Sequence, residues 1–192
     1  STLSSSSAAS DVYKRQTGLG LDLKADDFTL FGVPRAFEQD PAELARRWRE
    51  LQGAVHPDRF ATEGAASQRV AMQWAVRINE AYQRLKDPIK RAALLCEMNG
   101  SPIDAERNTA MPPAFLMHQM AWREALDEVE GLPALEALED EVLAERRRSE
   151  AQLNWLIDEK GDYPAASQQV RALMFIVRFA DELDNRAERL GR

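Results

Sequence analysis

From Phe28 onward the apolar residues recur at spacings of three and four, the interval that lines side chains along one face of a helix. Leu44, Trp48, Leu51 and Val55 form one such row, while Arg46, Arg47, Arg49 and Glu50 point elsewhere. Ala71, Trp74, Ala75, Ile78, Tyr82 and Leu85 form a second row, long enough to lie antiparallel against the first. Ahead of both, Asp26-Asp27 leads into Phe28, Leu30 and Phe31, a short apolar turn ended by Gly32 and Pro34 and expected to cover the hairpin. Asp40-Pro41-Ala42-Glu43 is a strong helix start: Asp40 caps, Pro41 sits in the first turn, and Glu43 is placed for a capping box. That helix is expected to run to Val55. Asp87-Pro88 closes the second row and opens a helix with apolar Ile89, Ala92, Ala93, Leu94, Leu95 and Met98, stopped at Asn99-Gly100.

Beyond a stretch from Ser101 to Pro113 that has proline punctuation and no period, the pattern predicts three further helices. They break at Gly131-Leu132-Pro133 and at Gly161-Asp162-Tyr163-Pro164, and such short breaks imply antiparallel neighbours. In the first, Phe115, Trp122, Leu126 and Val129 share one face; in the second, Leu135, Leu138, Val142, Leu153 and Leu156 do, interrupted by Arg146 and Ser149. The third offers Val170, Leu173, Val177 and Ala180 as its core row. Apolar residues are left over. Leu116, Met117 and Met120 occupy a neighbouring face continued by Glu124 and Glu128, and Phe175 and Phe179 lie off the last row. Two readings stay open at this level: a wide core stripe, or an apolar patch with an acidic rim of the kind that marks a partner site.

Between the two N-terminal rows stands Val55-His56-Pro57-Asp58-Arg59-Phe60. Pro57 has a fixed φ and no amide proton, and it pushes His56 away from helical angles, so the tip is expected to hold one exposed shape. His56 supplies an imidazole and Asp58 an anionic acceptor for a cation on a partner. A His-Pro-Asp tripeptide alone is a weak signal, more often a bland turn than a site, and its surroundings give it meaning. A helix bearing arginines precedes it, and Ile78-Asn79-Glu80-Ala81-Tyr82-Gln83-Arg84-Leu85, Asp87-Pro88 and Arg91-Ala92 follow. This arrangement resembles the J-domain of the heat-shock co-chaperones. With Phe28-Thr29-Leu30-Phe31-Gly32-Val33-Pro34 before it and Ala114-Phe115-Leu116-Met117 after it, the chain from about residue 26 to 190 is similar to the HscB family of iron-sulfur co-chaperones.

The resemblance implies an all-α chain: an N-terminal J-domain built on the helical hairpin over 23–99, a linker over 100–112, and a C-terminal antiparallel three-helix bundle over 113–192. It implies two partners. His56, Pro57 and Asp58, with Arg46, Arg47 and Arg49, would meet the ATPase domain of the chaperone HscA. Leu116, Met117, Met120, Glu124, Glu128 and Phe175 would hold the scaffold protein IscU. Ala121 stands where the family often has a carboxylate, which leaves one polar contact of that rim without its counterpart. A general J-protein serving DnaK on unfolded clients is the alternative. Such a protein usually brings a Gly/Phe-rich segment or zinc-binding cysteine repeats, and this sequence has neither.

Composition narrows the chemistry. The 192 residues are 44% hydrophobic and 30% charged with net charge -7, as expected of a globular chain of one or two domains. No run approaches the roughly 18 apolar residues of a membrane span. The single cysteine, Cys96, forms no internal disulfide and reads as a small buried hydrophobe, so a reducing compartment, the cytoplasm by default, is expected. With His56 and His118 the only histidines and far apart, neither a metal site nor a cofactor is expected. Three arginines on one helix of an acidic chain are too few for a nucleic-acid surface. The run Arg146-Arg147-Arg148 reads as a solvated face. An acid-base enzyme built on His56 and Asp58 lacks any serine or cysteine tied to them by a motif, and no GxxxxGK[ST] phosphate loop is present. Residues 1–22, with Ser4-Ser5-Ser6-Ser7, are expected to be a disordered, non-native leader in which 9–16 look like translated adaptor sequence; a transit peptide is the competing reading.

Overall fold

The computed structural model describes residues 22–192, so the leader read from the sequence lies, but for Asp22, outside the described residues. Among these residues the chain is helical wherever it is regular, and it divides into two compact units with the boundary between Asp87 and Pro88.

In the first unit, α1 spans Asp27–Phe31, α2 Pro41–Val55 and α3 Ala65–Lys86. Each start has its own chemistry. Asp26 caps α1 by accepting from the Thr29 backbone at 3.0 Å, and Gly32 closes it at φ 63, a left-handed angle suited to glycine. A side chain at Gly32 would also meet the Arg47 guanidinium, whose Nη1 lies 3.4 Å from where a Cβ would stand. Asp40 caps α2 through the Ala42 backbone at 3.0 Å. Glu43 does not complete the expected capping box; its carboxylate takes Arg46 and Arg47 instead. α2 and α3 pack antiparallel: Trp48 donates to Asn79 at 2.9 Å, and Gln52 donates to Asn79 at 2.7 Å and to the Ala75 carbonyl. Leu44, Leu51, Val55, Ala71, Trp74, Ile78 and Leu85 are buried between them with Phe28 and Phe31. Trp48 and Tyr82 sit at the edge of this core, half-buried, with rings stacked at 5.2 Å.

A carboxylate lies inside this unit. Asp27 is only 3% exposed and accepts from Arg77 at 2.7 Å and from Arg84 at 2.6 and 3.0 Å. Burial opposes its charge, but the hydrogen bonds from Arg84 and Arg77 outweigh that and hold its pKa below the ordinary value. The pair of arginines thereby ties α1 to α3.

In the second unit, α4 spans Pro88–Met98, α5 Phe115–Asp127, α6 Leu132–Asn154 and α7 Tyr163–Arg189, with a π-helical turn over Trp155–Glu159. α5, α6 and α7 run up, down and up: His118 faces Glu145 across α5 and α6, Ser149 accepts from Gln169 across α6 and α7, and Phe115 meets Phe175 across α5 and α7. α4, which the sequence reading groups with the hairpin, packs on α7 and falls in the second compact unit. Its apolar face, Ala92, Leu95 and Cys96, is buried, and burial raises the Cys96 thiol to about 11 despite the nearby Arg171.

The core row of α7 differs from the one the spacing predicts. Val177 and Ala180 are half-buried, whereas Ile176 and Phe179 are buried with Val170, Leu173, Leu183 and Ala187. α7 has α4 and α6 packed on it, and Phe179 stacks on Trp122 of α5 at 5.7 Å, so its buried sector is wider than one stripe. Ser149 does not break the α6 row either; it is 2% exposed and satisfied by Gln169 at 2.8 Å. Arg171, 4% exposed, donates to the carbonyls of Ile103, Ala110 and Pro102, and so fixes the irregular stretch that leads into α5.

Candidate functional site

Two surfaces, one on each unit, carry the residues singled out by the sequence. The first is the hairpin tip. α2 ends at Val55 because Pro57 forbids helical angles at His56, which takes φ -57 and ψ 129. Pro57–Phe60 then forms a single 3-10 turn whose far end is anchored by Phe60, 5% exposed. Within it the Asp58 backbone donates to His56 Nδ1 at 3.3 Å, and Arg59 donates to the Gly53 carbonyl at 3.3 Å. These bonds present the tip outward: the His56 side chain is 58% exposed and that of Asp58 92% exposed. An exposed imidazole and carboxylate held by backbone hydrogen bonds suit recognition by another protein.

The arginines of α2 do not act as one strip. Arg46 is held by Glu43 at 2.8 Å and Glu50 at 3.1 Å, and Arg47 by Glu43 at 3.0 Å on the side of Gly32. Hydrogen bonds from Arg46 and Arg47 draw the Glu43 carboxyl down to about 2. Arg49 has no ion pair among the described residues and is exposed. Sequence reasoning missed this neutralisation, although Glu43 and Glu50 stand at the three- and four-residue spacings at which such pairs form.

The second surface lies on α5. Phe115, Trp122 and Leu126 are buried, and rotating around the helix from that face brings Leu116, Met117, Met120, Glu124 and Glu128 to the solvent side. Leu116 is 56%, Met117 75% and Met120 73% exposed, although all three are large and apolar. Phe175 of α7, half-buried, packs edge-on to Phe115 at 5.7 Å. An open groove of about 570 Å³ joins the two helices here and is lined by Met120, Glu124, Glu128 and Phe175 with Gln119, Arg123 and Asp127. Leu116 and Met117 continue the same helix face outside the groove. Phe179 is not part of this surface: it is 1% exposed, under the Arg123 guanidinium. Arg123 and Asp127 were not legible as part of the site. Arg123 is neutralised by Glu182 of α7 at 2.6 Å, so the groove keeps an excess of carboxylates from Glu124, Asp127 and Glu128. Among the described residues no group of three His, Cys, Asp or Glu is placed to hold a metal ion, and no helix is long and apolar enough to cross a membrane.

Comparison with known proteins covers nearly all of the described chain. A family model described as the HSCB C-terminal oligomerisation domain matches residues 111–184. A co-chaperone protein HscB homolog of Bordetella pertussis is 52% identical over 163 residues, 84% of this chain and 96% of that protein. The homolog of Burkholderia mallei is 47% identical over 173 residues, 88% of this chain and 98% of that one. Among solved structures, chaperone HscB from Vibrio cholerae aligns with a TM-score of 0.73 at 36% identity over 86% of this chain and 99% of its own. Human co-chaperone protein HscB aligns with a TM-score of 0.77 at 25% identity, covering 87% and 84%.

Proposed function

The chain belongs to the HscB family of co-chaperones, and from that premise we propose that it stimulates the ATPase of the chaperone HscA and delivers the iron-sulfur scaffold IscU to it. Its own part is binding; the ATP chemistry is the chaperone's. His56, Pro57 and Asp58 engage the ATPase domain with help from Arg49, and by binding the hydrolysing state more tightly than the other they shift the chaperone toward it. The α5 face holds the scaffold and brings it to a chaperone that is being switched at the same moment. The assembly and transfer of iron-sulfur clusters, in the cytoplasm, is the process this serves.

The observation that carries this reading is the exposure of Leu116, Met117 and Met120 on one helix face beside three carboxylates and Phe175. A contiguous exposed apolar patch with a polar rim marks a partner site, where single exposed apolar residues would not. A co-chaperone that hands over arbitrary unfolded chains has no need of one fixed acidic-rimmed apolar face. Calorimetric titration of IscU into wild-type protein and into the Leu116→Ala, Met117→Ala, Phe175→Ala triple variant tests the assignment. Each anchor truncated at the centre of an interface costs on the order of 2 kcal/mol, so binding by the triple variant should fall below detection. Wild-type affinity in the folded variant would remove the scaffold site from this face.

A further inference from the structure

The first unit exposes two large apolar side chains on α3, Met72 at 58% and Val76 at 55%, and neither the tip nor the α2 arginines account for them. Their position is informative. Arg69, Met72, Val76 and Asn79 follow one another at spacings of three and four and so form one row along α3. On α2, Arg49 and Gln52 follow the same spacing, which leads on to His56 at the cap of the helix. The two rows are neighbours, because Gln52 donates to Asn79 at 2.7 Å and to the Ala75 carbonyl at 3.3 Å. Arg47 lies on the other side of the hairpin, beside Gly32. One side of the hairpin therefore carries the tip, two exposed apolar residues, and two exposed guanidiniums, Arg49 and Arg69, that have no ion pair among the described residues. The opposite side carries an arginine already satisfied by carboxylate.

We propose that Met72 and Val76 are the apolar anchor of the surface that docks on the chaperone's ATPase half, flanked by Arg49 and Arg69 and continuous with the His56-Pro57-Asp58 tip. This rests on the function proposed above and names the chemistry its partner surface must have: an apolar depression bordered by carboxylates. Two free cations around a small apolar centre match such a surface, since peripheral charges direct encounter while desolvated apolar residues hold the complex. A hairpin reading by arginines alone would leave the face with a single unneutralised charge from α2 and no apolar contact.

The test is ATPase stimulation of HscA without IscU, titrated with full-length wild-type protein, with Met72→Ala/Val76→Ala, with Arg69→Glu, and with His56→Gln. Alanine keeps helix propensity at exposed positions, and Arg69→Glu alters charge without touching packing. The alanine pair should raise the half-maximal concentration about tenfold while reaching the wild-type plateau, Met72→Leu/Val76→Ile should restore the wild-type value, and Arg69→Glu should shift the midpoint in the same direction as the alanine pair. Unchanged midpoints for the alanine pair and Arg69→Glu, with stimulation lost in His56→Gln, would overturn the anchor and leave the docking tip standing. Unchanged stimulation in His56→Gln as well would remove both. Sedimentation of the free protein provides the other arm: self-association that the alanine pair abolishes would assign the patch to a second copy of this chain and contradict the proposal.

Discussion

Asp27 shows how one buried charge can hold a small unit together. Its carboxylate is 3% exposed, and its partners Arg77 and Arg84 arrive from 50 and 57 positions along the chain. Removing one member of a buried ion pair strands the others, at about 3 to 5 kcal/mol when all are buried. Here Arg84 is 40% exposed and can turn to water, so Asp27→Asn should cost about 2 to 3 kcal/mol in urea unfolding. The pH dependence follows from the direction of the shift. With its folded pKa below the ordinary 3.8, Asp27 stabilises the fold fully above that value and loses this contribution as pH falls through the still lower folded pKa. The difference between wild type and Asp27→Asn should therefore be constant near neutrality and shrink only in acid. A difference that shrinks between pH 5 and 8 would assign the stabilisation to another group. His56 is the opposite case, an exposed side chain whose proposed role lies outside the fold. His56→Gln should change stability by less than about 0.5 kcal/mol and abolish stimulation of HscA, with IscU binding unchanged.

At the scale of helices, much of the arrangement is legible in the sequence, and the losses have identifiable causes. Both ends of α2 and the end of α3 follow from Asp40-Pro41, Pro57 and Asp87-Pro88, because cap and proline chemistry acts locally, whereas α3 starts at Ala65 behind Gly64 with no side-chain cap to announce it. The α7 core row slips from Val177 and Ala180 to Ile176 and Phe179 because α4 and α6 pack on it and Trp122 of α5 stacks on Phe179, a fact of topology that spacing does not encode. Asp27 reads as one of two carboxylates at a helix start until the fold brings in its arginines. The exposed face of α5 is legible as a surplus of apolar residues, but only the packed bundle separates Phe175, which borders the groove, from Phe179, which does not. The same distinction predicts stability. The triple variant Leu116→Ala, Met117→Ala, Phe175→Ala should melt close to wild type, with only half-buried Phe175 contributing a loss, whereas three buried residues would cost roughly 2 to 5 kcal/mol each. On α2, Arg46 and Arg47 are paired with carboxylate, so the proposed docking assigns the steering of association to Arg49. Arg49→Ala should slow association with HscA and flatten its dependence on salt, with dissociation little changed. Equal effects from Arg46→Ala and Arg47→Ala in stopped-flow mixing would restore the uniform basic strip.

Across the whole molecule, each of the two compact units carries one of the two proposed recognition surfaces. The hairpin unit has the rigid tip with its cations, and the second unit has the apolar, carboxylate-rimmed groove of α5 and α7. Family membership identifies the chain as a co-chaperone, and the function proposed above makes it an adaptor that acts with both surfaces occupied. An adaptor predicts more than two separate affinities. Steady-state ATP hydrolysis by HscA, measured with this protein alone, with IscU alone and with both, tests that claim most directly. Stimulation by the pair should exceed the product of the two separate stimulations, and the triple variant of the α5 face should lose the excess while keeping the stimulation seen without IscU. Stimulation that is merely additive, or that unfolded peptides reproduce in place of IscU, would contradict the account.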